Sequence, residues 1–335
     1  LVLDNGVLRV TLDADGHIAS LVDQRAQREV IPPGRVGALL QLHNDRPSMY
    51  EAWDIDAHIK RRTDDVTTAD RVEIVEQTQD AVTVEVARSF RGSSVVQRMT
   101  LARGSDALRF VLDVDWHEQR TLLKLSFPTD VLTDRASSEC AFGYHQRTTH
   151  TNTSWDMAKH ETVAHRWVHV GEPGFGVAVA NDSTYGHDIV REQYGEDGPV
   201  GTTVRLSLVR GPKFPDPDTD QGRHRLQVSL VVGADIVDAV LEGQRLNQPL
   251  RRISGADGVE PLVSARPEGV IVESVKMAED GSGDVVVRLY ESLGRRTPAT
   301  VQASFGSARV QRTDLLERPT GADALDADGG RIRMD

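Results

Sequence analysis

The sequence is poor in cysteine, with Cys140 alone among 335 residues, and only 5% of its residues are aromatic. One thiol excludes a disulfide within the chain and any zinc site built on several cysteines. Standing without a local signature or partner, Cys140 reads as an inert buried thiol. No run of about 18 apolar residues occurs, so no membrane-spanning helix is expected. Leu1-Val2-Leu3-Asp4 lacks the basic flank and long apolar stretch of a signal peptide. There is no initiating methionine, so a piece processed or excised from a longer protein is one reading of the start. No Gly-x-Ser-x-Gly elbow and no Gly-rich phosphate loop is present. Positive charge is in deficit, 39 basic side chains against 51 acidic, and the formal net charge of −12 argues against nucleic acid as a partner.

What the chain does have is hydrophobic alternation with a period of two. Residues 7–12 and 17–22 flank Asp13-Ala14-Asp15-Gly16 and predict a hairpin, because Asp and Gly tolerate the positive φ of a tight turn. Similar runs follow at 71–76, 81–88, 94–102, 107–115, 120–127, 163–170, 174–180, 204–210 and 225–232. Short strands separated by turn residues are the pattern of a large antiparallel all-β fold, with most sheets buried on one face. One helix is predicted over 234–245, where Ile236, Val237, Val240 and Leu241 share a stripe before Asn247-Gln248-Pro249 stops it. Residues 252–268 read as a linker. Runs at 269–277, 284–291, 299–305 and 308–315, with turns at Asp280-Gly281 and Asp328-Gly329, predict a second, small β-sandwich. The expected domains are a large β-supersandwich over 1–250 and the small sandwich over 260–335.

Three segments break the alternation: 43–56, 142–162 and 211–224. Asp216, Asp218 and Asp220 superficially resemble a calcium loop, but the position that needs a bidentate Glu is basic, and a solvated acidic loop is the better reading. His145, His150, His160 and His165 have neither the i, i+4 nor the His-x-His spacing of a zinc site. The pairings Trp53-Asp54, Trp155-Asp156 and Asp115-Trp116 point toward sugar. An indole packs on the C–H face of a pyranose while carboxylates accept from its hydroxyls. Core packing for Trp and strand ends for Asp explain the same pairs.

The ordered set of loops is more specific. Asn5-Gly6-Val7-Leu8, Asp15-Gly16-His17-Ile18, Ala52-Trp53-Asp54-Ile55-Asp56 and Phe142-Gly143-Tyr144-His145-Gln146-Arg147 come first. Asn152-Thr153-Ser154-Trp155-Asp156-Met157-Ala158, His165-Arg166-Trp167 and Asn181-Asp182-Ser183 with Tyr185-Gly186 follow. Leu208-Val209-Arg210-Gly211-Pro212 through Asp220-Gln221-Gly222 and His224 completes the series. In this order they resemble the C-terminal β region of the α-mannosidases of glycoside hydrolase family 38, densely over 1–235 and by general pattern over 236–335. Thr148 departs from it, standing where a proline often follows Gln-Arg.

The resemblance implies a galactose-mutarotase-like β-supersandwich and a parent enzyme that hydrolyses α-mannosides with retention. It places the Zn²⁺, the nucleophile and most sugar contacts in an upstream catalytic domain, so no metal or catalytic residue is expected here. The chain is then a C-terminal piece, inactive alone, whose partners are its own catalytic domain and an α-mannoside glycan. Trp53 and Asp54 are the first candidates for the pocket rim, Asp220, Gln221 and His224 the second, Tyr144 and His145 the third. The lone cysteine fits a reducing cytoplasm. The alternatives are a stand-alone carbohydrate-binding module gripping sugar through Trp53, Trp155 or Tyr144, a structural domain whose loops dock the α/β barrel that the resemblance implies for the upstream catalytic domain, and a mutarotase-like enzyme, for which no converging His and Glu pair stands out.

Overall fold

The computed structural model describes residues 1–250, 254–255, 260–305, 309–321, 327–328 and 331–334, the last two spans by backbone alone. The chain forms two compact units, one of Leu1–Cys140 with His145–Pro249, the other of Ala141–Tyr144 with residues 250–335. Both are built of antiparallel strands.

The first unit stacks two large sheets. One has nine strands, in the spatial order Gly143–Thr148, Arg135–Cys140, Trp167–Glu172, Phe175–Asn181, Gly222–Val232, Ala107–Trp116, Ser93–Ala102, Ala81–Phe90 and Arg71–Gln77. The other has six: Thr162–Val163, Gly186–Gln193, Val200–Arg210, Thr121–Thr129, Leu39–Asn44 and Thr63–Val66. Alternation puts one row of each strand into the space between. Val84, Met99, Phe110, Leu112 and Leu230 from the nine-stranded sheet share one core with Leu40, Leu123, Leu125, Phe127 and Leu206 from the six-stranded sheet. Phe110 and Phe127 mark the meeting, their ring centroids 5.6 Å apart. A four-stranded sheet of Val2–Asp4, Leu8–Leu12, Ile18–Asp23 and Arg28–Glu29 adds Leu8, Ile18 and Leu21 to that core.

The expected first hairpin is present. Gly16 has φ +75, and Asp13 holds the turn by accepting from the backbone of Asp15 at 3.0 Å and of His17 at 2.9 Å. The helix runs over Ile236–Asn247, capped by Asp235, whose carboxylate accepts from the Val237 and Asp238 amides at 2.7 and 3.0 Å. Asp238 returns the bond to the Asp235 amide at 2.9 Å.

Several expectations need correction. Residues 142–162 are not wholly irregular: Gly143–Thr148 is a strand and Ser154–Met157 a single helical turn. That strand lies at a sheet edge and none of its side chains is fully buried, so it needs no apolar alternation. The run at 163–170 is split, with Thr162–Val163 in one sheet and Trp167–Glu172 in the other. The polar face of the six-stranded sheet is itself largely buried, with His43, Lys124, Ser126, Asp188 and Thr203 all hidden. The strands Leu39–Asn44 and Gly186–Gln193 mix polar and apolar residues for that reason and escaped a pattern search.

In the second unit, Val263–Arg266, Ala299–Ala303, Arg331–Met334 and Ala327–Asp328 form a four-stranded sheet, and Val270–Met277 pairs with Val285–Glu291. Val263–Arg266 falls within the stretch read as a linker. Part of the 252–268 linker, residue 308 of the 308–315 run and Gly329 of the Asp328-Gly329 turn lie outside the described residues. Over 309–315 there is no strand, only an isolated bridge between Thr313 and Pro319.

Candidate functional site

Strand Val200–Arg210 ends on an arginine that ties three chain segments together. Arg210 grips Asp45 with two nitrogens, Nη2 donating to Oδ1 at 3.0 Å and Nε to Oδ2. Nη1 donates to the Ala52 carbonyl at 3.2 Å, and Nη2 also reaches the Asp54 carbonyl. The Arg210 amide donates to Asp220 Oδ2 at 3.4 Å. Asp45 is 1% exposed, a burial that a carboxylate tolerates only when paired in this way. Arg120 adds a second tie, donating from Nε to Glu51 Oε1 at 2.7 Å and from its amide to the Gly211 carbonyl at 2.6 Å. Its hydrogen bond holds the Glu51 carboxyl below its ordinary pKa. Ser48 closes the loop by donating from amide and hydroxyl to Asp56 Oδ2 at 2.8 and 3.0 Å, which likewise lowers the Asp56 pKa.

These ties display Trp53. The Trp53 and Asp54 amides both donate to the Tyr50 carbonyl, at 2.8 and 2.9 Å. The tight turn leaves the indole 65% exposed. Among the described residues the Asp54 carboxylate has no hydrogen-bond partner, since the backbone carbonyl makes the tie to Arg210. Asp220 adopts φ +59 at the end of its loop, and its carbonyl receives His224 Nε2 at 2.7 Å. A carbonyl only accepts, so this places a proton on Nε2. Gln221 Nε2 donates to the Glu118 carbonyl at 3.0 Å. Glu118 in turn accepts from the Gly92 amide and the Ser93 hydroxyl, both at 3.0 Å.

Trp53, Asp54, Asp220, Gln221 and His224 are therefore on one group of loops. Tyr144 belongs to the second unit, where its hydroxyl donates to the Leu293 carbonyl at 3.5 Å. His145 is exposed on its edge strand, and among the described residues it makes no hydrogen bond to the Arg210 loops. The other tryptophan–aspartate pairs serve differently. Trp116 is fully buried against Phe90, ring centroids 6.4 Å apart. Trp155 is 81% exposed, but Asp156 is occupied by the hydroxyls of Thr148 and Thr153 at 2.8 and 2.7 Å. Those two bonds hold its carboxyl at a pKa of about 2. The acidic loop is closed on itself, Asp216 Oδ1 accepting from the Asp218 amide at 3.0 Å.

A charged cluster that sequence reading missed lies on the polar face of the six-stranded sheet. Lys124, 3% exposed, donates to Glu161 Oε2 at 2.5 Å and Asp188 Oδ1 at 2.6 Å. Arg205 joins Asp188 at 3.0 Å and Glu192 at 3.1 Å. Burial works against the Lys124 ammonium, but Asp188 and Glu161 outweigh it and raise its pKa. Burial prevails at Glu161 and raises it, while Lys124 and Arg205 overcome burial at Asp188 and lower it. His43 and His187 stand beside the cluster, and burial is the main cause that brings each down to about 4. A narrow cleft of about 40 Å³ borders the cluster, lined by Arg147, His150, Asp156, Glu161, His187 and Asp188. Its one sequence signal was a lysine inside the apolar run Leu122-Leu123-Lys124-Leu125. Among the described residues no three His, Cys, Asp or Glu side chains come together as a metal-ligand set.

The architecture is that of a large two-sheet antiparallel β-sandwich with a second, smaller β unit. An α-mannosidase from Enterococcus faecalis V583 shares the fold with a TM-score of 0.78 at 13% identity, over 100% of this chain and 42% of that one. The family model "Glycosyl hydrolases family 38 C-terminal domain" matches residues 3–218, and "Glycosyl hydrolases family 38 C-terminal beta sandwich domain" matches 269–334. The chain belongs to glycosyl hydrolase family 38, as its C-terminal domains. Alpha-mannosidase 2C1 of Homo sapiens is 34% identical over 100% of this chain and 32% of its own length. The alpha-mannosidase of Saccharomyces cerevisiae is 28% identical over 95% of this chain and 31% of its own length. The chain thus spans about a third of these curated relatives.

Proposed function

We propose that this chain is the non-catalytic C-terminal portion of a retaining, zinc-dependent α-mannosidase, and that its Arg210 loops supply Trp53 and Asp54 to the rim of the substrate pocket. The observation that carries the rim reading is the tethering by Arg210, which fixes an exposed indole beside an unpaired carboxylate. That pair has what a sugar rim needs: an aromatic face for the pyranose C–H groups and an acceptor for its hydroxyls. Asp220, Gln221 and His224 hold the neighbouring loop, and their polar groups are spent largely on backbone. We give them a positioning role. Tyr144 and His145 are not included.

On this reading the nucleophile and the zinc belong to a catalytic domain outside this chain, which packs against it. The residues here do not fit the metal, since no ligand set assembles among those described. A cytoplasmic location is part of the proposal, supported by the single cysteine.

The test is Trp53→Ala in the longer protein that contains the catalytic domain. Loss of an aromatic platform is expected to raise KM about tenfold and leave kcat within a few-fold. An unchanged KM for aryl α-mannoside and for mannobiose alike would refute the rim role. The exposed Trp53 also fits a binding module without chemistry. Calorimetric titration of this chain with mannobiose separates the two, because the module requires saturable binding that Trp53→Ala abolishes.

A further inference from the structure

A second cleft, of about 310 Å³, opens on the polar face of the six-stranded sheet. Strand register builds its floor. Leu125 and Phe127 point into the core, so Ser126 between them faces the other way. Ser126 is opposite both Leu39 and Arg205, Pro128 is opposite Thr203, and Gln41 is opposite Asp65, which puts all of them on one face. The 13–17 turn and the 34–36 loop stand as walls. Arg205 and Arg210 lie on the same strand, five residues apart, so the cleft is roughly 17 Å along it from the Arg210 loops.

Two floor groups are unspent. Ser126 is 4% exposed and lines the cleft, yet among the described residues its hydroxyl has no hydrogen-bond partner. Gln41 donates from Nε2 to Asp65 Oδ1 at 2.7 Å, while its buried Oε1 accepts from nothing. A buried acceptor left unmet, as Gln41 Oε1 is, is costly, whereas the Ser126 hydroxyl opens onto the cleft. The charged floor is by contrast saturated: Arg205 is divided between Asp188 and Glu192, and Thr203 Oγ1 between Glu192 and Tyr194. The free capacity is therefore a hydroxyl and an amide oxygen, the two groups that a neutral alcohol satisfies. Asp13, Asp15, Asp65 and Glu192 outnumber Arg35 and Arg205 around the cleft, which repels anions. Val36, Leu39 and Pro128 offer an apolar strip to C–H groups. The volume lies at the lower end of the ~300–1,000 Å³ of small-molecule sites, room for a single sugar unit.

We propose that this cleft is a second carbohydrate site, taking one neutral sugar unit whose hydroxyls meet Ser126 Oγ and Gln41 Oε1. It needs neither the rim nor the catalytic domain, and its failure would leave the α-mannosidase reading untouched. The experiment is an amide NMR titration of the chain with methyl α-mannoside and mannobiose. Saturable millimolar shifts are expected at the amides of residues 39–41, 126–128 and 203–205. Ser126→Val and Gln41→Met should each weaken binding about fivefold or more without lowering the unfolding temperature. Ser126→Ala removes the hydroxyl alone, should valine disturb the sheet. Trp53→Ala should leave these shifts intact, and mannose 6-phosphate should bind more weakly than mannose. The proposal is overturned by an absence of saturable shifts at those amides with sugar in the tens of millimolar. Shifts that vanish with Trp53→Ala and survive both cleft variants overturn it as well, as does tighter binding of the sugar phosphate.

Discussion

Lys124 sits where an apolar strand should carry a leucine, and its ammonium balances two buried carboxylates. Lys124→Met keeps the volume but leaves Glu161 without its cation and Asp188 with Arg205 alone. Chemical denaturation should show a loss of about 3–5 kcal/mol, and a loss under 1 kcal/mol would mean that solvent reaches the cluster. The same neighbourhood sets an acid limit. His43 and His187 titrate near 4 in the fold against 6.5 when free. As pH falls from 6.5 toward 4 the unfolded chain takes up their protons first, so stability drops by up to about 1.4 kcal/mol per pH unit for each. Asp188, held low by Lys124 and Arg205 in spite of burial, extends the loss to lower pH. Glu161, raised by burial, works in the opposite direction and partly offsets it. Unfolding free energies measured from pH 7 to 4.5 should decline, with His187→Gln giving a shallower slope; a flat profile would contradict the assignment. Trp53 and Asp54 could be nominated from the sequence through the family resemblance, and the structure shows an exposed indole beside a carboxylate without a partner among the described residues. Arg210 could not, because a strand-ending arginine looks like any solvated one until Asp45 and the Ala52 and Asp54 carbonyls are seen around it.

Elements show where periodicity suffices and where it does not. Ala107–Trp116 and Gly222–Val232 keep one face in the core, and their alternation announced them. Gly143–Thr148 lies at an edge, and Leu39–Asn44 and Gly186–Gln193 carry polar groups into a buried polar face, so hydrophobicity alone passed over all three. The helix was legible from its stripe and its Asn-Gln-Pro stop, and its cap supplies a clean test. Asp235→Ala removes both acceptor bonds and should cost about 1 kcal/mol in thermal or denaturant unfolding. A change within error would mean that packing alone ends the helix. Gly201 is a backbone contact point, where an added Cβ would collide with the Thr129 carbonyl oxygen. Gly201→Ala should therefore destabilise the pairing of Thr121–Thr129 with Val200–Arg210, read as faster amide exchange in those two strands; unchanged exchange would contradict the close approach.

At the scale of the whole molecule, the chain has two β units, a displayed loop group and an enclosed charged sheet face. Membership of family 38 rests on matches over most of the length, while the relatives are about three times as long. The order of loop motifs carried the family reading, and three of those loops are held by side-chain bonds in this chain: Asp13 in the first hairpin, Ser48 to Asp56, and Thr153 to Asp156. The proposal puts the zinc and the nucleophile in a catalytic domain outside it. Hydrolysis of an aryl α-mannoside, followed with this chain alone and with the longer protein that includes the catalytic domain, tests that division most directly. The account predicts no turnover by the chain alone and zinc-dependent turnover by the longer protein. Robust turnover by the chain alone would contradict it.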